Sequence, residues 1–451
     1  MNIFIVLLSI SFLSIIGFAL IREFGFLQKK DTILAIGASY GIGVGLAALQ
    51  LYLYYRFSIP WQREFILVPL ALLLGVLIVK KSEQFKNELV SFRTLIKKAK
   101  ITKWRQYGKE LLLLLGILLS TGYVLFEALL RPVVAWDAWS LWLLYPKMFF
   151  IDGRIALETL RYTFSGYPMT ISLLDSFIYI GLGRIDDTAV LLTSSAFYIF
   201  LAISFFAVLK GRYGVKYALL FTFLLVTTQN FIRHGGRLEA GLADLPLGYF
   251  AFLSVELLFN YFKNHSVRTL FLFVVFASIT SLIKYEGIPL ACIIALCAFI
   301  YIIKNRSYKH LPVLLLWIVP LISWQLDRKL TGIENIYFSE GHMNEFGIYK
   351  SINAFLGTFK ELVNFKTWNL LWLTYLYTLF AFGVKKQREL AVLHFIIVAQ
   401  LIIYLIMYNV TYGNNPESSI GRLLMHIAPL AFYSIAISLQ TVFFKKKTTS
   451  R

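Results

Sequence analysis

Apolar residues in this chain gather into long unbroken blocks instead of alternating at the period of a strand. Blocks of about 17–25 apolar residues, when helical, match the hydrocarbon thickness of a bilayer. They recur at approximately 2–21, 31–55, 64–79, 110–130, 188–209, 215–232, 244–262, 267–283, 287–303, 311–327, 368–384, 389–409 and 420–444. The pattern predicts an all-α polytopic membrane protein with about thirteen transmembrane helices. One further apolar run, 167–182, contains Pro168 and Asp175. Both are awkward against lipid, so this run is expected to be a re-entrant or interfacial helix. The first block is read as a span and not a signal peptide. It lacks a basic leading region, and Arg22-Glu23-Phe24 follows it in place of a small-residue cleavage site.

The polar positions between the blocks set orientation. If 167–182 does not cross, the basic clusters at 80–109, 210–212, 263–268, 304–309, 385–388 and 445–447 all fall on one side. The positive-inside bias makes that side cytoplasmic. The N-terminus is then outside and the C-terminus inside. Segment 80–109 spaces Phe85, Leu89, Phe92, Leu95 and Ile96 near helical period among lysines, and reads as an amphipathic surface helix. Two regions follow. Residues 1–109 hold N-terminal transmembrane helices and the basic cytoplasmic segment. Residues 110–451 form a transmembrane module with extracytoplasmic loops 131–166 and 331–366.

Composition agrees with this reading and removes one alternative. The 451 residues are 58% hydrophobic and 15% charged, which no soluble domain of this length resembles. A formal charge of +20 would suggest nucleic acid in a soluble chain. Here most Lys and Arg sit in short loops, where they orient spans and meet anionic lipid headgroups, so no nucleic-acid partner is expected. Cys292 and Cys297 lie five residues apart on one apolar helix, a spacing that does not let them pair.

Four polar constellations fall on the outer face of this topology. The first is Trp136-Asp137-Ala138-Trp139-Ser140, just past an uncharged leucine-rich span, with Lys147 following in the same loop. Indole rings settle at the membrane interface, which would place the Asp137 carboxylate at headgroup depth; capping of a short helix is the plainer role. The second runs from Arg233 through His234, Arg237 and Glu239 to Asp244, which opens a span and has Pro246 in its first turn. Mixed charge beside glycines suits phosphate and sugar hydroxyls, and it also suits a solvated turn. The third is Lys284-Tyr285-Glu286-Gly287, two ionisable groups interrupting about 35 apolar residues. The fourth is Arg422 with His426, where an Arg can fork onto a lipid phosphate or merely snorkel. Neither Lys284 nor Arg422 has an acidic neighbour in sequence that fully accounts for it. No Walker loop, zinc-binding HExxH or nucleophile elbow is present.

At these residues the chain resembles the GT-C superfamily of integral-membrane glycosyltransferases, in particular its bacterial protein-mannosyltransferase-like and aminoarabinose-transferase-like branch. The Trp-Asp-Ala-Trp loop resembles that family's acidic first outer loop. Gly166-Tyr167-Pro168 resembles its Tyr-Pro step. Ala243-Asp244-Leu245-Pro246 is similar to its second acidic position, Lys284-Tyr285-Glu286-Gly287 to its Lys-x-Glu-Gly turn, and Arg422 with Pro429 to its late Arg-containing span. The likeness covers roughly 110–430. Many members carry paired acids in the first loop, and here Asp137 stands alone. The acidic loop follows the fourth span and not the first, which implies three additional N-terminal spans.

The resemblance implies a GT-C-like fold and transfer of a sugar from a polyprenyl-phosphate carrier to a glycan, lipid or protein acceptor outside the cytoplasm. Asp137 is the expected general base. Trp136, Lys147, Tyr167, Arg233, Arg237, Glu239, Asp244, Lys284, Glu286, Arg422 and His426 are the expected substrate-binding residues, with cations stabilising the departing lipid phosphate. The resemblance implies no certain cofactor. A divalent cation is a candidate, with Asp137 and Asp244 as its ligands. Two other classes remain open: a flippase or transporter of a lipid-linked saccharide, whose charges should line a path through the midplane, and a surface-glycan polymerase or ligase.

Overall fold

The computed structural model describes residues 2–28, 31–80, 107–157, 166–333, 348–382, 388–410 and 416–443. The amphipathic helix expected within 80–109 falls almost wholly outside these, as does much of loop 331–366. Every regular element among the described residues is helical. In chain order the helices that position the site are α1 (Asn2–Glu23), α2 (Thr32–Arg56), α3 (Arg63–Lys80), α4 (Gly108–Leu130), α5 (Leu144–Asp152) and α6 (Thr170–Leu182). Next come α7 (Asp187–Tyr213), α8 (Val215–Val226), α9 (Gln229–Gly236), α10 (Asp244–Asn264), α11 (Val267–Ser281) and α12 (Gly287–Lys304). The last are α13 (Tyr308–Leu330), α14 (Ile348–Leu362), α15 (Leu371–Phe382), α16 (Arg388–Val410), α17 (Pro416–Met425) and α18 (Ala428–Phe443).

Eight of these helices are long and apolar enough to cross a membrane, or up to 10 if the bent pairs α8–α9 and α17–α18 each count as one span. Three of the thirteen expected blocks fall short of that test. Helix α3 has 18 residues but carries Arg63, Glu64 and Lys80 at its ends, α11 has 15 residues and α15 has 12. Block length alone does not show the breaks in the block at 215–232 and in the one at 420–444. The chain turns by 68° between α8 and α9 and by 56° between α17 and α18.

Polar bonds between helix ends fall at two levels. At one level Arg22, at the end of α1, donates to Thr32 Oγ1 of α2 at 2.6 Å, and Lys80 of α3 pairs with Glu23. Lys216 of α8 meets Glu110 of α4 at 2.9 Å. Arg212 of α7 bridges Glu256 of α10 and Glu389 of α16, which also holds Lys263 at 3.2 Å. At the other level Asn2 donates to Asp186, just before α7. There Arg56 of α2 meets Asp327 of α13 at 2.8 Å, and Asp244, the first residue of α10, meets Lys284 between α11 and α12. These pairings make successive long helices antiparallel.

Helix α6 is different. Its first amide donates to Leu282 O at 3.3 Å, and Tyr179 near its end donates to Asp187 at 2.9 Å. Both ends therefore lie at the Asp244 level. At 13 residues it is about 20 Å long, short of a bilayer core. Residues Thr170–Gly181 are buried, so protein and not lipid surrounds Asp175. That is the setting in which a polar side chain and short helix at membrane depth are tolerated.

Candidate functional site

Asp244 is the hub of an ionic cluster at this second level. It opens α10, and its neighbour Pro246 suits a first helical turn, where the missing amide has no partner to lose. Its carboxylate does not cap its own helix. It is fully buried and accepts from three side chains: Lys284 Nζ at 2.8 Å, His426 Nε2 at 2.8 Å and Arg422 Nε at 3.2 Å. Arg422 reaches onward through Nη1 to Asp137 Oδ2 at 2.5 Å. Lys284 also lies 3.3 Å from Glu286 Oε1. Burial opposes the Lys284 ammonium, but Asp244 and then Glu286 outweigh it and hold its pKa above the usual lysine value.

Local backbone explains how these groups meet. Lys284 sits in the turn joining α11 to α12, closed by Gly287 N–H donating to Lys284 O at 2.9 Å. A Cβ at position 287 would stand 2.1 Å from Thr280 O, so only glycine lets the turn fold this tightly. His426 occupies the break between α17 and α18. There α10 approaches closely: a Cβ at Gly248 would lie 2.8 Å from Met425 O. His426 Nδ1 is 2.8 Å from Tyr404 Oη of α16. With Nε2 donating to Asp244, Nδ1 accepts from the tyrosine, which fixes the neutral tautomer. Asn230 of α9 donates to Gly421 O at 2.9 Å and ties α17 in place.

A second carboxylate joins through histidine. Glu239 pairs with Arg233 at 2.6 Å and lies 3.1 Å from His234 Nδ1; His234 Nε2 is 3.9 Å from Asp244. Tyr167 packs at a tilt between Trp142, with ring centroids 5.3 Å apart, and Tyr285, at 4.7 Å, which borders the cluster through its neighbours Lys284 and Glu286. Arg328 donates to Tyr285 Oη at 3.4 Å.

Asp137, Asp244, Lys284, Glu286, Arg422 and His426 thus share one site, with Arg233, Glu239 and Tyr167 at its edges. Three expected residues lie apart. Lys147 is held by Asp187 at 2.6 Å. Trp136 is 67% exposed and packs edge-on against Trp139. Arg237 lies within electrostatic reach of Glu127 of α4. The partner that local sequence does not supply for Lys284 and Arg422 is Asp244, 40 and 178 residues away in sequence. Asp137, the one acid of its loop, is joined to Asp244 through Arg422 in a carboxylate–guanidinium–carboxylate array. Asp137 precedes the short turn Ala138–Trp142 without capping it. Among the described residues no group of three or more His, Cys, Asp or Glu is arranged to hold a metal ion. The guanidinium of Arg422 occupies the place between Asp137 and Asp244 that a shared cation would need.

An almost wholly apolar cavity of about 410 Å³ reaches the chain segments that lead into the site. Leu20, Phe24, Ile42, Phe271, Met169 and Leu282 are among its walls, contributed by α1 and the residue after it, α2, α11 and the residue after it, and the approach to α6. Along α11 it runs from Phe271 to Leu282, about 16 Å of helix rise, close to half the thickness of a bilayer core. Its Leu282 and Met169 end lies two residues from Lys284 and from Tyr167.

Sequence reasoning passed over Tyr404, Gln400 and Asn230. Gln400 Nε2 donates to Glu286 O at 3.2 Å and Tyr404 holds His426. The signal was present: Gln400, Tyr404 and Tyr408 interrupt an apolar span at four-residue spacing, which puts them on one helix face.

Fold and site define a polytopic helical membrane protein whose helix ends converge on a buried ionic cluster. No protein-family model, curated protein or solved structure matches the chain.

Proposed function

We propose that this protein is a GT-C-like glycosyltransferase that moves a sugar from a polyprenyl-phosphate carrier to an extracytoplasmic glycan, lipid or protein acceptor. The observation that carries the reading is the convergence of Lys284 and Arg422 on one buried point, beside the half-exposed carboxylate of Asp137 and the end of an apolar cavity. A phosphate on a long hydrocarbon chain needs both parts: forked and point cations for its head, and a dry channel for its tail. In the proposed step the acceptor hydroxyl gives its proton to the Asp137 carboxylate. Its oxygen bonds to the anomeric carbon while the carbon–oxygen bond to phosphate breaks. The electron pair leaves with the lipid phosphate, whose charge the two cations stabilise. Direct displacement inverts the anomeric centre.

The reading also places about thirteen crossings between the two levels of helix-end bonds, with α6 returning to its starting side. Residues Lys210, Arg212, Lys216, Lys263, Arg268, Lys304, Arg306, Lys309 and Arg388 lie toward the Arg212 level. The positive-inside bias then makes that level cytoplasmic and the Asp137 site extracytoplasmic. A Ser140→Cys variant in a background lacking Cys292 and Cys297 is expected to react with a membrane-impermeant maleimide in intact cells. Reaction only after permeabilisation would reverse the orientation.

Purified protein in lipid nanodiscs, incubated with a panel of polyprenyl-phosphate sugars and candidate acceptors, tests the activity. Release of free polyprenyl phosphate together with a glycosylated acceptor is the expected result. Movement of intact donor across a vesicle membrane, without release, would make the protein a transporter instead.

A further inference from the structure

The cluster is overfull with negative charge. Lys284 and Arg422 face Asp137, Asp244 and Glu286, so one carboxylate already exceeds the cations. A phosphate added to that set would meet net repulsion, in a buried place where charges are weakly screened. One carboxylate must therefore give up its cation first.

Burial and partners decide which. The Asp244 side chain is fully buried and bound by three donors. Glu286 is also buried and, among the described residues, has Lys284 as the one ion-pair partner found for its side chain, at the longer distance of 3.3 Å, while its backbone carbonyl is pinned by Gln400. Asp137 is 39% exposed, lies on the loop after α4, and has Arg422 as the one partner found for it among the described residues. Its release restores water to a carboxylate already half in water. Arg422 loses nothing of its own placement, because Nε stays on Asp244 while Nη1 is handed over. A guanidinium anchored at one edge presents its other edge ready-oriented to a tetrahedral oxyanion.

We infer that Asp137 is an internal stand-in for a ligand phosphate, seated on Arg422 in the free protein and displaced when the phosphate binds. The inference rests on the reading that a phosphate-bearing ligand uses this cluster. It adds a device to that site. The same contact that receives the phosphate strips Asp137 of its cation, and an unpaired carboxylate is the better proton acceptor. A base held on Arg422 until donor arrives is quiet toward water and acceptor alone.

The exchange is read as competition. Binding of dodecyl phosphate and of inorganic phosphate is measured on the full-length protein in nanodiscs for wild type, Asp137→Asn, Asp137→Ala, Asp137→Glu and Arg422→Gln. Removing the competing carboxylate in the Asn and Ala variants should tighten both probes by about tenfold. The Glu variant, which keeps the charge, should bind as wild type, and Arg422→Gln should lose the gain when combined with Asp137→Asn. Unchanged or weaker phosphate binding in Asp137→Asn and Asp137→Ala, or no binding of either probe to any variant, overturns the exchange. Sugar transfer by wild type alongside unchanged phosphate affinity in those variants sinks the exchange and leaves the transferase. Tightened binding with inorganic phosphate favoured over dodecyl phosphate keeps the exchange and sinks the lipid-linked donor.

Discussion

Asp244→Asn is expected to destabilise the protein as well as silence it. The substitution keeps the shape and removes the charge that Lys284 and Arg422 share. Lys284 has a side chain only 5% exposed, so it cannot turn to water for its lost partner. Breaking a buried ion pair from one side commonly costs about 3–5 kcal/mol, since the surviving charge stays buried. Glu286 and Asp137 still touch the two cations, which puts the expected loss near the low end, about 3 kcal/mol. His426 also loses the carboxylate that accepts from Nε2 and fixes its tautomer. The check is thermal unfolding of purified variants in one detergent, read by retention of the monodisperse peak. A second substitution makes the reading specific. If the damage comes from a stranded cation, Asp244→Asn with Lys284→Met should unfold at a higher temperature than Asp244→Asn alone. Wild-type stability of the single variant, or no recovery in the double, would mean that Asp244 is a solvated helix-end residue and not the hub.

The residues of this cluster were legible because each breaks an apolar pattern. Asp244, Lys284, Glu286, Arg422 and His426 interrupt or border long hydrophobic blocks, and ionisable groups there seldom lack a function. What hydropathy cannot supply is the pairing. Arg422 meets Asp137 across 285 residues and Asp244 across 178, and nothing in local sequence says that these helix ends stand side by side. The same limit hid the pairing of Lys147, a loop cation, with Asp187, 40 residues on. The spans themselves were mostly readable, because block length maps directly onto helix length. The break at Thr227–Thr228 was not, since no proline or glycine marks the bend there. At His426–Ile427 the mark is Pro429, in the first turn of α18, which block length alone passes over. The second break is the one that matters, as it sets His426 against Asp244.

Asp137→Asn is expected to abolish transfer and leave the fold nearly untouched, the reverse of what Asp244→Asn should do to stability. Asp137 caps no helix. The ion pair it makes among the described residues joins a side chain 39% exposed to one 22% exposed. An ion pair with water at both ends contributes about 1 kcal/mol or less, and Arg422 keeps Asp244 when Asp137 is neutralised. The asparagine fills the same volume, so the loop and the cluster should hold. Asparagine, however, cannot take a proton from the acceptor hydroxyl. Loss of a general base slows a reaction by about 10²–10⁴-fold, and the tighter phosphate binding expected of this variant cannot repair that step. Donor affinity and turnover should therefore move in opposite directions, a split that a merely structural defect does not produce. Single-turnover release of polyprenyl phosphate, measured beside donor binding and unfolding temperature, separates the three quantities. Turnover above about a tenth of wild type would remove Asp137 from the role of base. Glu286, the cluster's carboxylate besides the Asp244 hub, 3.3 Å from Lys284, would then be the next group to test.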